Sequence, residues 1–269
     1  NGIGYNYGII INNGGKGQNI ENNGIGYNYG VIFNSGSYGQ SIGGIGYNYG
    51  IIANGENNGQ NIVVNGIAYN YGVIANKFDN GQNIFGKSYN YGLIVNGRDS
   101  GQAIGANGIG YNYGIIGNGG IQGQYISKSG IGYNYGIITN KKYNGQSIAG
   151  KGYNYGVIAN ESTSGQYVYS SGISYNYGIV ANTKEVNIFC LEGGNAYNYG
   201  VVKNTTGAVF DGKVDNYGIV IYTTDSQSGS LGTGTNKGVV LDSTYALVSG
   251  KNDSVIDKST GIINLDNHK

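Results

Sequence analysis

The chain has no proline, no methionine and no tryptophan, and it carries one cysteine and one histidine. Without proline, no residue interrupts the supply of backbone N–H donors, which suits strands that spend nearly all of them in ladders. Cys190 alone rules out an internal disulfide, and a buried, small apolar role is expected for it. His268 stands one residue from the end, which excludes His-based triads and His-rich metal sites, so neither a metal nor a cofactor is expected. Residue 1 is Asn1, and the sequence is expected to be a processed or excised piece of a longer chain. Charge is scarce as well: 11% of residues are charged and the net charge is +1. Arg98 is the single arginine and no basic stripe runs along the chain, so nucleic acid is not an expected partner. No apolar run approaches the ~20 residues of a membrane-spanning helix and no signal peptide is visible, so direct membrane insertion is not expected.

What is present is repetition. Glycine accounts for 54 of 269 residues and tyrosine for 28. The tetrapeptide Tyr-Asn-Tyr-Gly recurs with its asparagine at Asn6, Asn28, Asn48, Asn70, Asn90, Asn112, Asn134, Asn154, Asn176 and Asn198. Decayed copies follow around Asn216 and Asn236. The spacing is 22 or 20 residues with one interval of 18. A fixed period of about twenty residues signals a solenoid, in which each unit is one coil and stability comes from stacking.

Other positions keep step with the motif. An apolar residue lies four residues after each asparagine (Ile10, Ile32, Ile52 and onward), and a second asparagine lies six after it (Asn12, Asn34, Asn54). A glutamine preceded by glycine lies twelve after it, from Gln18 to Gln166, and another Ile or Val lies fourteen after it. Period-2 Ile and Val punctuated by Gly and Asn read as short strands; a helix needs a 3.6-residue period, and the glycine content opposes it. The expected fold is therefore all-β: a β-solenoid of 20–22 residues per coil and about twelve coils, on the order of 55 Å long at the ~4.8 Å strand spacing. Residues 1–222 form the repeat domain, and 223–269 are expected to be degenerate terminal coils or a cap that covers the last ladder edge. Coil length varies by two residues, as in Ile20–Tyr27 against Ile42–Tyr47. An even change preserves which face each residue takes.

Lys87, Lys151 and Lys213 occupy the position three before the motif asparagine, so that position faces water. By alternation the first motif tyrosine (Tyr5, Tyr27, Tyr47) faces outward with it, and the small residue between them faces inward with the asparagine. A bend at Asn-Tyr-Gly leaves the side taken by the second tyrosine open. The four residues after each second asparagine are constant in number and variable in kind, which marks a turn edge free of core packing. Candidate binding residues on that edge are Tyr38, Lys77, Asp79, Arg98, Asp99, Lys141, Lys142 and Tyr143; soluble, unconstrained turns explain the same residues. Asp79 and Asp99 hold the same place in successive coils, a spacing compatible with a carboxylate pair for glycan cleavage, but a solvated cluster with Lys77 and Arg98 explains the set without catalysis.

The units Asn6-Tyr7-Gly8-Ile9-Ile10, Asn28-Tyr29-Gly30-Val31-Ile32 and onward to Asn216-Tyr217-Gly218-Ile219-Val220 resemble the Gly/Asn-rich passenger domains of autotransporter adhesins, especially the fusobacterial type. The resemblance covers most of residues 1–222. It implies a right-handed parallel β-helix exported to a bacterial surface and used in adhesion, with a host or bacterial surface receptor or glycan as partner and no catalytic residues. The expected function is a non-enzymatic, extracellular adhesive or structural segment. The alternatives are a self-associating filament subunit and a polysaccharide-active enzyme using Asp79 and Asp99.

Overall fold

Four-residue runs of alternating apolar and small or polar residues, each closed by asparagine, fold as short strands. The computed structural model describes residues 2–205, 209–222, 234–241, 251–252, 255–256 and 263–264. The first coil holds three strands, β1 (Ile3–Asn6), β2 (Ile9–Asn12) and β3 (Lys16–Ile20), and later coils repeat the trio. Equivalent strands of successive coils pair in parallel and build sheets of 13, 12 and 10 strands, with no helix among the described residues. The register is residue for residue: Asn6 opposes Asn28, Ile10 opposes Ile32 and Ile20 opposes Ile42. The fold is a β-solenoid, as the repeat predicts.

The interior is built from columns. Ile32, Ile52, Ile74 and their equivalents form one fully buried ladder, and Ile42, Ile62, Ile84 and theirs form a second. Burying each such side chain contributes about 1.5–3 kcal/mol. The column two before the motif asparagine faces these ladders at close range: a Cβ on Gly26 would lie 2.3 Å from Ile20 Cδ1. Small residues therefore fill it down to Ala196. Cys190 continues the second ladder above Val168, buried as expected.

Amides close the corners. Asn6 Nδ2 donates to Asn28 Oδ1 at 2.8 Å, Asn28 to Asn48 at 2.7 Å, and the chain of bonds continues to Asn236. The second N–H of these amides reaches a backbone carbonyl of the next coil, as Asn112 does to Ile137 O at 3.2 Å. The other asparagine column forms an equivalent ladder from Asn12 to Asn182. The glutamine ladder runs in the opposite sense: Gln40 Nε2 donates back to Gln18 Oε1 at 2.6 Å, and Gln166 back to Gln146 at 2.8 Å. It stops where Ile188 replaces glutamine, leaving Gln166 Oε1 buried without a partner.

The motif glycine is obligatory for a steric reason. A Cβ on Gly114 would sit 2.1 Å from Gly92 O, in the backbone of the preceding coil. Coil-length variation is absorbed at one corner. Longer coils add a β-turn such as Glu21–Gly24, closed by Gly24 N donating to Glu21 O at 2.9 Å, with Asn23 at φ 64. Asn65, Asn107 and Ser129 repeat that left-handed position. Shorter coils pass directly through Gly43-Gly44, and the strands on either side keep register.

The terminal segment expected at 223–269, with His268, lies mostly outside the described residues. Within it, Thr235–Asn236 and Val239–Leu241 extend the first two sheets. Val255–Ile256 pairs antiparallel with Ile263–Asn264.

Candidate functional site

The stacked coils expose three kinds of surface. The first is a double comb of tyrosines. β1 and its equivalents point their tyrosine outward, as Lys87 and Lys151 predicted, so Tyr27 and Tyr47 are half-buried and Tyr5 is exposed. The second motif tyrosine also faces outward, in the corner between the first two sheets; from Tyr29 to Tyr217 this column is 41–45% exposed. Within each column the rings stack face to face, as Tyr111 does on Tyr133 at 4.9 Å and 5°. Rings of the two columns in one coil lie side by side, Tyr133 and Tyr135 at 6.2 Å. Parallel stacking at this separation gives each ring dispersion contact along the rod. It also covers the ring faces, so the comb presents edges and hydroxyls to solvent. A sugar ring that needs a bare aromatic face finds none along the comb between its two ends.

The comb alters its own acid–base behaviour. Burial raises the phenol pKa of Tyr111 and Tyr153 above the ordinary value, and the charge that neighbouring tyrosines would carry raises it further. These two phenols are therefore neutral at physiological pH.

The second surface is the variable turn edge. Its backbone is pinned while its side chains differ. Asn96 Nδ2 holds Asp79 O at 2.9 Å, Asn118 holds Asp99 O at 3.0 Å, and Asn160 holds Tyr143 O at 2.8 Å. The ladder asparagines thus clamp each turn from the following coil. Asp79 and Asp99 do lie in adjacent coils, joined by Asp99 N donating to Asp79 O at 3.2 Å. Arg98 Nε stands 3.6 Å from Asp99 Oδ1. Burial raises the Asp99 carboxyl pKa, Arg98 opposes that shift, and the Asp79 charge adds to it. Lys77 places its Nζ 5.0 Å above the Phe78 ring. Lys141, Lys142 and Tyr143 are exposed in a third turn, and Tyr38 is half-buried near the N-terminal end. The structure brings Asp79, Arg98 and Asp99 together, places the Lys77 ammonium on Phe78 instead, and leaves the other turn residues apart. Among the described residues no three His, Cys, Asp or Glu side chains are placed to hold a metal ion.

The third surface escaped the sequence reading. The outer face of the second sheet carries a shallow groove of about 540 Å³ lined by Phe33, Ala53, Ala75, Lys77, Val95 and Gly97, among others. Its floor is the column five residues after the motif asparagine. The signal was present in the alternation: Ala53 and Ala75 flank the buried Ile52 and Ile74 on one side, and Ile51 and Val73 flank them on the other. Only the stacked coils turn those single residues into a furrow beside an apolar ridge.

No family model, no curated protein and no solved structure matches this chain, so the surface chemistry and the resemblance of its units carry the functional reading.

Proposed function

We propose that this chain is a non-enzymatic, adhesive rod: a β-solenoid segment of a bacterial surface protein that meets a surface receptor or glycan outside the cell. One observation carries the reading. The turn edge has a backbone clamped by the asparagine ladder and side chains that change from coil to coil, which is how a rigid scaffold offers many contacts at little ordering cost. The resemblance to autotransporter passenger domains supports the same location and role. The tyrosine comb supplies a stiff flank to that edge, offering hydroxyls and ring edges rather than stacking platforms.

The test is binding of the purified chain to host cells, to bacterial surfaces and to immobilised glycans. In a second protein, Lys77–Asp79, Arg98–Asp99 and Lys141–Tyr143 are replaced by Gly/Ser turns of the same length. The altered chain is expected to keep its β circular dichroism and lose at least tenfold in binding. Equal binding by both chains, or none by the parent, overturns the proposal.

A filament subunit is the second reading, and the polarity of the amide ladders favours it. Coils stacked end on end are the way this fold extends, and such extension needs only the contacts already used between coils.

A further inference from the structure

The outer face of the second sheet is an apolar surface. The column three after the motif asparagine is Ile, Val or Leu in every coil from Ile9 to Val239, although it points to solvent. Ile51, Ile115, Ile137 and Ile179 are each 41–45% exposed. The neighbouring outward column is small at Ala53, Ala75, Gly117, Ala159 and Ala181, with Phe33, Val95 and Thr139 standing up from it, and the groove beside the ridge is lined by residues between Ile11 and Gly97. No strand residue of this face between Val31 and Ala181 is charged, Lys203 being the first; Lys77, in the adjoining turn, lines the rim of the groove. The other faces differ: Lys87 and Lys151 stand on the first sheet, and Asn19 and Asn83 stand on the third beside Tyr125 and Tyr167.

We propose that this face pairs two copies of the chain side by side, with the ridge of each rod seated in the furrow of the other. Three arguments select a second copy as the occupant. A partner that follows the ridge over its whole length must share its ~4.8 Å repeat, and a rod of the same coils does so rung for rung. The face measures roughly 40 Å by 15 Å, so pairing buries about 600 Å² per copy and about 1,200 Å² in total, enough for a specific dimer. An uncharged apolar stripe of that size is larger than soluble monomers leave uncovered. Reciprocity then sets the symmetry. Ridge and furrow exchange places only under a two-fold axis parallel to the rods, so the two chains run parallel with equivalent coils at the same height.

The pairing does not depend on whether the turn edge binds a receptor. Its test is sedimentation velocity on the whole chain at tens of micromolar, with the double substitution Ile115→Lys, Ile137→Lys for comparison. Both positions point outward, and lysine already occupies outward strand positions at Lys87, Lys151 and Lys203. The parent is expected to sediment as a dimer and the double variant as a monomer with unchanged circular dichroism. Should the lysines prevent folding, Ile115→Thr with Ile137→Thr keeps the β-branched shape and is expected to raise the dimer dissociation constant at least tenfold.

Orientation is read by mixing chains that carry Val157→Cys with chains that carry Ala159→Cys under mild oxidation with diamide. Parallel pairing predicts the 157–159 disulfide between copies. Cys190 is buried and stays silent. A monomeric parent, association untouched by the folded lysine variant, growth beyond two copies, or absence of the 157–159 cross-link each overturns the proposal.

Discussion

Asn112 shows why a buried ladder is less forgiving than an ordinary apolar core. Its Oδ1 accepts from Asn90 and its Nδ2 donates to Asn134 and to Ile137 O. Asn112→Leu removes these bonds at once and leaves a donor on Asn90 and an acceptor on Asn134 buried and unpaired. At about 1–3 kcal/mol for each orphaned group, the expected loss is about 2–6 kcal/mol, measured by urea unfolding. Glycines divide just as sharply. Gly114→Ala drives a methyl to 2.1 Å from Gly92 O and is expected to break the stack locally. Gly117→Ala meets nothing nearer than Thr139 Oγ1 at 3.7 Å and lies in a strand, so it is expected to leave stability equal or slightly higher. Thermal melts of the two variants check the contrast. Cys190 yields a third outcome at this scale. Burial pushes its thiol up to about 11, so a thiol reagent at neutral pH is expected to modify it only as fast as the fold opens. Labelling that tracks added urea supports this; rapid labelling of the native chain contradicts it.

At the scale of strands and columns, the tyrosine comb makes the fold sensitive to alkali. Tyr47, Tyr69, Tyr111, Tyr135 and Tyr153 all have raised phenol pKa values, chiefly from burial and then from like charge on neighbours. The sign follows: a folded-state pKa above the unfolded one stabilises fully below the unfolded value of about 10 and is lost as pH rises through the folded values. Phenolate absorbance of the native chain is expected to rise late and over a broad range, with unfolding on the alkaline side. The same chain in denaturant is expected to titrate in one step near pH ~10. A native curve that overlays the denatured one would remove the coupling.

The columns also mark what was legible beforehand. Strand positions, the two isoleucine ladders and the amide columns were all visible, because a strict register converts sequence period directly into spatial adjacency. Lys87 and Lys151 disclosed the outward turn of the first tyrosine. The second tyrosine was undecided because it sits in a corner, where alternation carries no information. The furrow over Ala53 and Ala75 was hidden for another reason: its walls belong to neighbouring columns and coils, and no single stretch of sequence contains it.

For the molecule as a whole, modularity is the testable property. Removing residues 91–112 excises one complete coil and joins Asn90 to Tyr113, which restores the Tyr-Asn-Tyr-Gly motif. That chain is expected to fold with its circular dichroism per residue unchanged and its stability lowered by about one inter-coil interface. Removing residues 91–111 instead leaves an extra asparagine at the corner ahead of Tyr113-Gly114, where the motif glycine packs against the backbone of the preceding coil, and is expected to cost more stability than removal of the whole coil.

The opposed amide ladders give the rod a direction of assembly. Both asparagine ladders send their N–H groups toward later coils, and the glutamine ladder sends its own toward earlier ones. Backbone contacts such as Asn28 Nδ2 to Ile51 O and Gly8 N to Asn6 Oδ1 lock that sense. Between Gln18 and Gln166 the face each coil turns toward its successor is therefore the complement of the face its successor turns back. A coil inserted in this stretch must enter in the same sense as its neighbours, as in a one-way zipper; reversed, its asparagines would set acceptor against acceptor on one side and donor against donor on the other.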